Sequence, residues 1–261
     1  MKRTSYALIV VILILGLSLQ AKGQTRAAGQ ARNPGRPSRE EGQALLKTPA
    51  EESNYHEYSQ NEAIASFLSA LDAASEEVEV SVLGRSLPSD AYGARDIFLV
   101  ILGVSNSPLP VILDGSKPTV LFTAAQHGNE QSAKEAVLRI VRDLAVGELR
   151  PLLKKINVLA IPQTNPYGNF MNVRTNELDL DMNRDHVKLE AEGVRAIHLA
   201  FRRFMPEVTI DVHEKGDDYY RVSIGRVSNV NIGRDLQNFS RLTILAEVEK
   251  ALKKKNIAFH E

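Results

Sequence analysis

PTVLFTAAQHGNEQSAKEAVLRIVRDLAVG, residues 118–147, carries two different hydrophobic periods in one stretch. Residues 118–125 are an almost unbroken apolar run opened by a proline, the pattern of a strand buried on both faces. From about Glu130 to Val146 the apolar residues recur three and four apart, at Ala133, Val137, Leu138, Val141 and Leu144, which predicts a helix that Gly147 stops. A buried strand feeding directly into a helix is one half of an α/β unit. Between them stands HGNE, so two metal-binding side-chain types, His127 and Glu130, fall at the mouth of a buried strand.

Working outward, the same alternation continues. VEVSVLG (78–84) and DIFLVILG (96–103) read as two strands joined by the polar RSLPSDAYGA, and INVLAIPQ (156–163) as another buried strand. EAEGVRAIHLAFRRF (190–204) reads as a helix, EVTIDVH (207–213) and YYRVSIG (219–225) as strands, and residues 234–255 as a long helix. NIAFHE at the end reads as the start of a further strand. Order is expected from about Thr48, with Ser59 and Glu62 as a capping box for a helix carrying Ile64, Phe67, Leu68 and Leu71. The class is α/β, with a sheet covered by helices on both faces.

Composition excludes several functions. The chain has 261 residues, with 32 basic and 32 acidic side chains, so no net charge favours nucleic acid. The basic run KALKKKN (250–256) is the ordinary cationic end of a helix. No cysteine is present, which rules out disulfides and leaves only histidine and carboxylates for a metal site. Residues 1–23 have a basic start, an apolar stretch from Ala7 to Leu19 and the small residues Ala21 and Gly23, the signature of a secretory signal peptide. That stretch is short of the ~20 apolar residues of a bilayer span. An uncleaved membrane anchor is the second reading, and the location expected is secreted or periplasmic. Residues 24–47, rich in Gly, Pro, Arg and Gln, read as a flexible linker.

The chemistry-bearing residues gather at strand ends, where open α/β sheets bind ligands. His127 and Glu130 follow one strand, and His213 ends another. Two histidines and a glutamate, with a fourth position open, form a common catalytic zinc set; the competing reading is a histidine held by a backbone hydrogen bond. Between them, NPYGNFMNVRTNELDLDMNRD (165–185) is dense in guanidinium and amide groups. Arg174, Asn183 and Arg184 can grip a carboxylate or stabilise an oxyanion, and Asp181 can orient a metal-bound imidazole. Surface ion pairs with Glu177, Asp179 and Asp185 are the alternative. His186 could line the cleft, whereas His198 reads as a packed histidine at the core edge.

HGNE, NPYG followed by Arg174, DMNRD and DVHE, in that order, resemble the zinc carboxypeptidase family (carboxypeptidase A-like metallopeptidases) over about residues 48–261. The resemblance implies a mixed, mostly parallel sheet flanked by helices on both faces, in a domain at 48–261 whose last strands are missing. It implies one Zn2+ held by His127, Glu130 and His213, with Asp181 behind the first histidine. Arg174 would be the catalytic arginine that polarises the carbonyl, and Arg174, Asn183 and Arg184 would bind a peptide with a free C-terminal carboxylate. Tyr167 and Asn129 depart from the family pattern. So does the absence of its general-base glutamate: the stretch from His213 to Glu261 is too short to reach it, Glu214 should face away from the metal on its strand, and Glu261 is terminal. The activity expected is therefore zinc metallocarboxypeptidase. A zinc deacylase of N-acyl amino acids and a catalytically inactive zinc- and peptide-binding remnant are the alternatives.

Overall fold

The computed structural model describes residues 46–90, 92–104, 113–215, 222–227 and 229–260. The signal peptide at 1–23 and nearly all of the linker at 24–47 lie outside the described residues. The described residues fall into two compact units, one up to Glu214 and the other from Lys215 on.

The larger unit opens with α1 (Pro49–Glu52), α2 (Asn61–Ala74), β1 (Val78–Arg85) and β2 (Asp96–Leu102). Then come β3 (Thr119–Ala124), α3 (Gln131–Ala145), β4 (Asn157–Ile161), α4 (Pro166–Met171), α5 (Glu192–Phe204) and β5 (Val208–Val212). Five strands form one sheet in the order β1-β2-β4-β3-β5. It is mixed, as expected. Parallel and antiparallel pairings are equal in number, because the β1–β2 hairpin enters the sheet antiparallel to β4 while β3 runs parallel to both β4 and β5.

Every residue of β3 and β4 is buried, which the apolar runs anticipate. Leu121, Leu159 and Ile161 pack with Ile97, Leu99 and Ile101 against Ala196, Ile197 and Ala200 of α5. Side chains alternate across a strand, so Val100, Leu102, Val120, Phe122, Val158 and Ala160, also buried, fill the opposite face. Helices α2 and α3 pack on the sheet as well. The chain passes from β3 to β4 on one side, then returns past β3 to place β5 on the other. The direction of winding reverses there, and the carboxyl ends of β3 and β5 lie side by side, with Ala124 opposite Val212.

Two local expectations are corrected. Helix α2 begins at Asn61 behind Gln60 and has no side-chain cap. Ser59 instead gives its hydroxyl and amide to the Glu135 carboxylate on α3, at 2.6 and 2.8 Å, while Glu62 pairs with Arg95 at 2.6 Å. The reciprocal cap is found on α1, between Thr48 and Glu51. The stretch after β4, which reads as a loop, contains the six-residue α4, started by the Asn165 side chain accepting from Gly168 N–H.

The smaller unit contains β6 (Val222–Ser223) and β7 (Phe259–His260), paired in parallel. The long helix runs as α6 (Arg234–Phe239), a π-helical turn (Ser240–Leu245) and α7 (Ala246–Lys254). Val248 and Leu252 pack with Val222, Ile224, Ile257 and Phe259. Among the described residues no helix is long and apolar enough to cross a membrane.

Candidate metal centre

The backbone leaves β3 through Ala125, whose φ of +55° is unusual for a side chain with a Cβ. This left-handed residue ends the strand and swings Gln126 and His127 over its carboxyl edge. The loop is then fixed by close packing. Gly128 donates to Arg174 O at 3.3 Å, Asn169 Nδ2 donates to Gly128 O at 3.0 Å, and a Cβ on Gly128 would fall 2.0 Å from Gly168 C.

Glu130 stands at the N-cap of α3 but does not cap it. Its two carboxylate oxygens face the two histidines: Oε1 is 2.7 Å from His127 Nδ1, and Oε2 is 2.7 Å from His213 Nδ1. The capping task falls to Glu214, whose carboxylate accepts from Ser132 N–H and Oγ, both at 2.8 Å, in the first turn of α3. Its backbone N–H meanwhile donates to Glu130 Oε2 at 3.1 Å. Glu214 thus faces α3 rather than the histidine pair. Glu261 lies outside the described residues.

Each imidazole is backed by an aspartate on its other nitrogen. His127 Nε2 is 3.2 Å from Asp181 Oδ1, and His213 Nε2 is 2.8 Å from Asp211 Oδ2. Carboxylates in those places would hold the proton on Nε2 and leave Nδ1 to a metal, while each Nδ1 here hydrogen-bonds a Glu130 oxygen. The ligand atoms of His127, Glu130 and His213 lie within 4.8 Å of one another, the one such group among the described residues. Two imidazole nitrogens beside a carboxylate, each backed by an acceptor, form a donor set that fits zinc.

The electrostatics follow from the same contacts. Hydrogen bonds to Asp211 and Glu130 raise the His213 imidazole to about 9 against the opposing effect of burial. Burial pushes the Glu130 carboxyl up, but hydrogen bonds from His213, Glu214 N–H and His127 outweigh it and hold the group below its usual range. Burial likewise pushes Asp181 up, and the Arg174 guanidinium brings it down.

Arg174 reaches the centre from the loop after α4. Its Nε and Nη2 are each 3.0 Å from Asp181 Oδ2, and its Nη1 is 3.9 Å from Glu130 Oε1. Asn183 belongs to a single 3-10 turn (Met182–Arg184) capped by Asp181 Oδ1, and its Nδ2 comes within 3.3 Å of His213 Nε2. Arg184 is exposed, and its hydrogen bond is to Asn183 O rather than to the ligand residues. The structure therefore gathers His127, Glu130, His213, Arg174, Asp181 and Asn183, with Arg184 at the rim.

Sequence reasoning misses Asp211. Its signal is present, since residues two apart on a strand share a face, and D-V-H places a carboxylate beside the histidine. His186 meets Gln126 and His198 rather than the ligand residues, and His198, read as merely packed, is 3.1 Å from His186.

The sequence profile of the zinc carboxypeptidase family matches residues 64–199, more than half of the chain. The chain belongs to the zinc carboxypeptidase family. Of the residues above, His213 and Asp211 lie beyond the matched stretch, so the carboxypeptidase profile does not reach them. A probable carboxypeptidase 2 of Arthroderma benhamiae is 39% identical over 100 residues, which are 38% of this chain and 19% of that protein. Among solved structures, a metallo-carboxypeptidase of Burkholderia cenocepacia aligns with a TM-score of 0.57 at 24% identity, covering 67% of this chain and 46% of its own. Bovine thrombin-activatable fibrinolysis inhibitor, solved with a tick carboxypeptidase inhibitor, aligns with a TM-score of 0.60 at 16% identity, over 80% and 77% of the two chains. These structures share the carboxypeptidase fold. The match spans about a fifth of the length of the curated relative.

Proposed function

We propose that this chain carries the zinc-binding and carboxylate-recognising part of a metallocarboxypeptidase acting on peptides with a free C-terminus. The observation that supports it most is the pairing of two Nδ1 atoms with the two Glu130 oxygens, while Asp181 and Asp211 hold the opposite nitrogens. His127, Glu130 and His213 would hold the ion. Zinc bound there supplies Lewis acidity, which polarises a carbonyl and lowers the pKa of water.

The chain's own residues supply charge stabilisation and carboxylate recognition. Arg174 lies one carboxylate oxygen from the centre and can hold the negative charge that develops on a carbonyl oxygen. Asp181 keeps it there by accepting two of its N–H groups. Asn183 presents an amide beside His213, and Arg184 at the rim adds the planar fork that grips a terminal carboxylate. Glu214 Oε2 is engaged by Ser132 at the start of α3. We propose export as well, on the strength of residues 1–23, with the mature N-terminus of the exported protein as the check.

Two measurements test the reading. The purified chain should hold one zinc, and His127→Ala should lose it; full metal content in the variant would overturn the ligand assignment. The zinc form should release the last residue of a peptide and leave the same peptide with an amidated C-terminus intact. Cleavage of an N-acyl amino acid with both peptides untouched would make the chain a deacylase. Zinc retention without hydrolysis would make it a binding module.

A further inference from the structure

Behind His213 a line of hydrogen bonds runs away from the ligand residues. Both Asp211 oxygens accept from Gln126 Nε2 at 2.9 Å, and Thr123 Oγ1 donates to Asp211 Oδ1 at 3.0 Å. Gln126 Oε1 is 2.9 Å from His186 Nε2, and His186 Nδ1 is 3.1 Å from His198 Nε2. The members come from β3 and its loop, β5, the turn before α5, and α5 itself. Gln126 is buried at 2% exposure, so water cannot stand in for its partners.

An amide has a donor end and an acceptor end, and this gives the line a direction. Gln126 donates to a carboxylate, which can only accept, so its carbonyl must receive a proton from His186 Nε2. His186 Nδ1 is then the acceptor, and His198 Nε2 the donor. Each link points toward Asp211. Asp211 in turn accepts from His213 Nε2, which would leave Nδ1, here hydrogen-bonded to Glu130, to a metal.

We propose that Gln126 and His186 are positioning residues for the metal centre: acting through Asp211, they fix the orientation and tautomer of His213 and so set the affinity for zinc. This rests on the zinc reading above. If the two side chains served packing alone, their replacement would change stability and leave the coordination unchanged. Groups behind a metal-bound histidine typically contribute 10–100-fold to affinity.

The test uses the full chain. Zinc affinity is measured by competition with a chromophoric chelator, the visible spectrum is recorded for the Co2+ form, and thermal unfolding is followed without metal. Gln126→Leu and His186→Phe keep the apolar volume and remove the hydrogen bonds. Both should bind zinc about 10-fold or more weakly, with an altered Co2+ spectrum. His186→Gln, whose amide can still donate to Gln126, should regain most of the affinity. Gln126→Glu keeps the shape, sets an acceptor against Asp211, and should also weaken binding, so a poorly folding leucine variant does not remove the test. Parent affinity and spectrum in Gln126→Glu and His186→Phe would overturn the proposal, as would failure of His186→Gln to rescue. A parent chain that binds no zinc would instead sink the zinc reading, and this proposal with it.

Discussion

Asp181 touches three groups at once: the His127 ring, the Arg174 guanidinium and the Asn183 backbone N–H. One carboxylate thereby fixes a candidate ligand, the cation beside it and the turn that carries Asn183. Gly128 is as constrained for a different reason. Its place against Gly168 and Asn169 N leaves no room for a methyl group, and the atoms in the way are backbone. Gly128→Ala should therefore destabilise the chain by at least ~1–3 kcal/mol, read as a lower denaturant midpoint, and should displace His127 enough to weaken zinc binding. An unchanged midpoint would show that the loop can move aside. Both residues stand inside motifs visible in the sequence. So do His127, Arg174, Asn183 and Gly168, but their contacts are not legible there, because Asp181 is 54 residues from His127.

Helix α3 joins the centre to the scaffold at both of its ends. At its start, Glu214 caps the helix in place of Glu130, an exchange that frees the Glu130 carboxylate for the histidines. Glu214→Ala should cost ~0.5–2 kcal/mol, as the loss of an N-cap does, and Glu214→Gln, which still accepts from Ser132, should recover part of it in the same urea titration. Near its end, Arg142 pairs with Asp143 at 2.8 Å and with Glu51 of α1. Burial pushes Glu51 up, but the Thr48 N–H and Arg142 outweigh it and hold its carboxyl below the ordinary 4.5. A carboxyl lowered in the folded state contributes stability that is complete above its unfolded value and is lost as pH falls through the folded one. Glu51→Gln should accordingly lower stability by ~1–3 kcal/mol at pH 7, with the gap to the parent closing as the pH falls below the ordinary 4.5 and through the lowered folded value. A gap that persisted in acid would mean the charge is not what matters. The helix itself is legible from its 3.6-residue period, but its capping is not, since the cap arrives from 82 residues away.

A ligand that binds only the folded chain raises its stability by mass action. Free zinc at 100 times its dissociation constant should add ~2.7 kcal/mol, or roughly 5–10 °C in Tm for a unit of this size, reversed by a chelator. A Tm indifferent to zinc would count against a centre built from three separate elements. The α/β class, the longer helices, the buried strands and the candidate group His127, Glu130 and His213 could be read along the chain, because they rest on local hydrophobic period and on residue type at strand ends. The even split of parallel and antiparallel pairing, the Ser59–Glu135 contact in place of a local cap, and the roles of Glu214 and Gln126 could not. Each depends on which distant side chain arrives within 3 Å, and only the packing of α3 and α5 on the sheet, with β3 between β4 and β5, decides that.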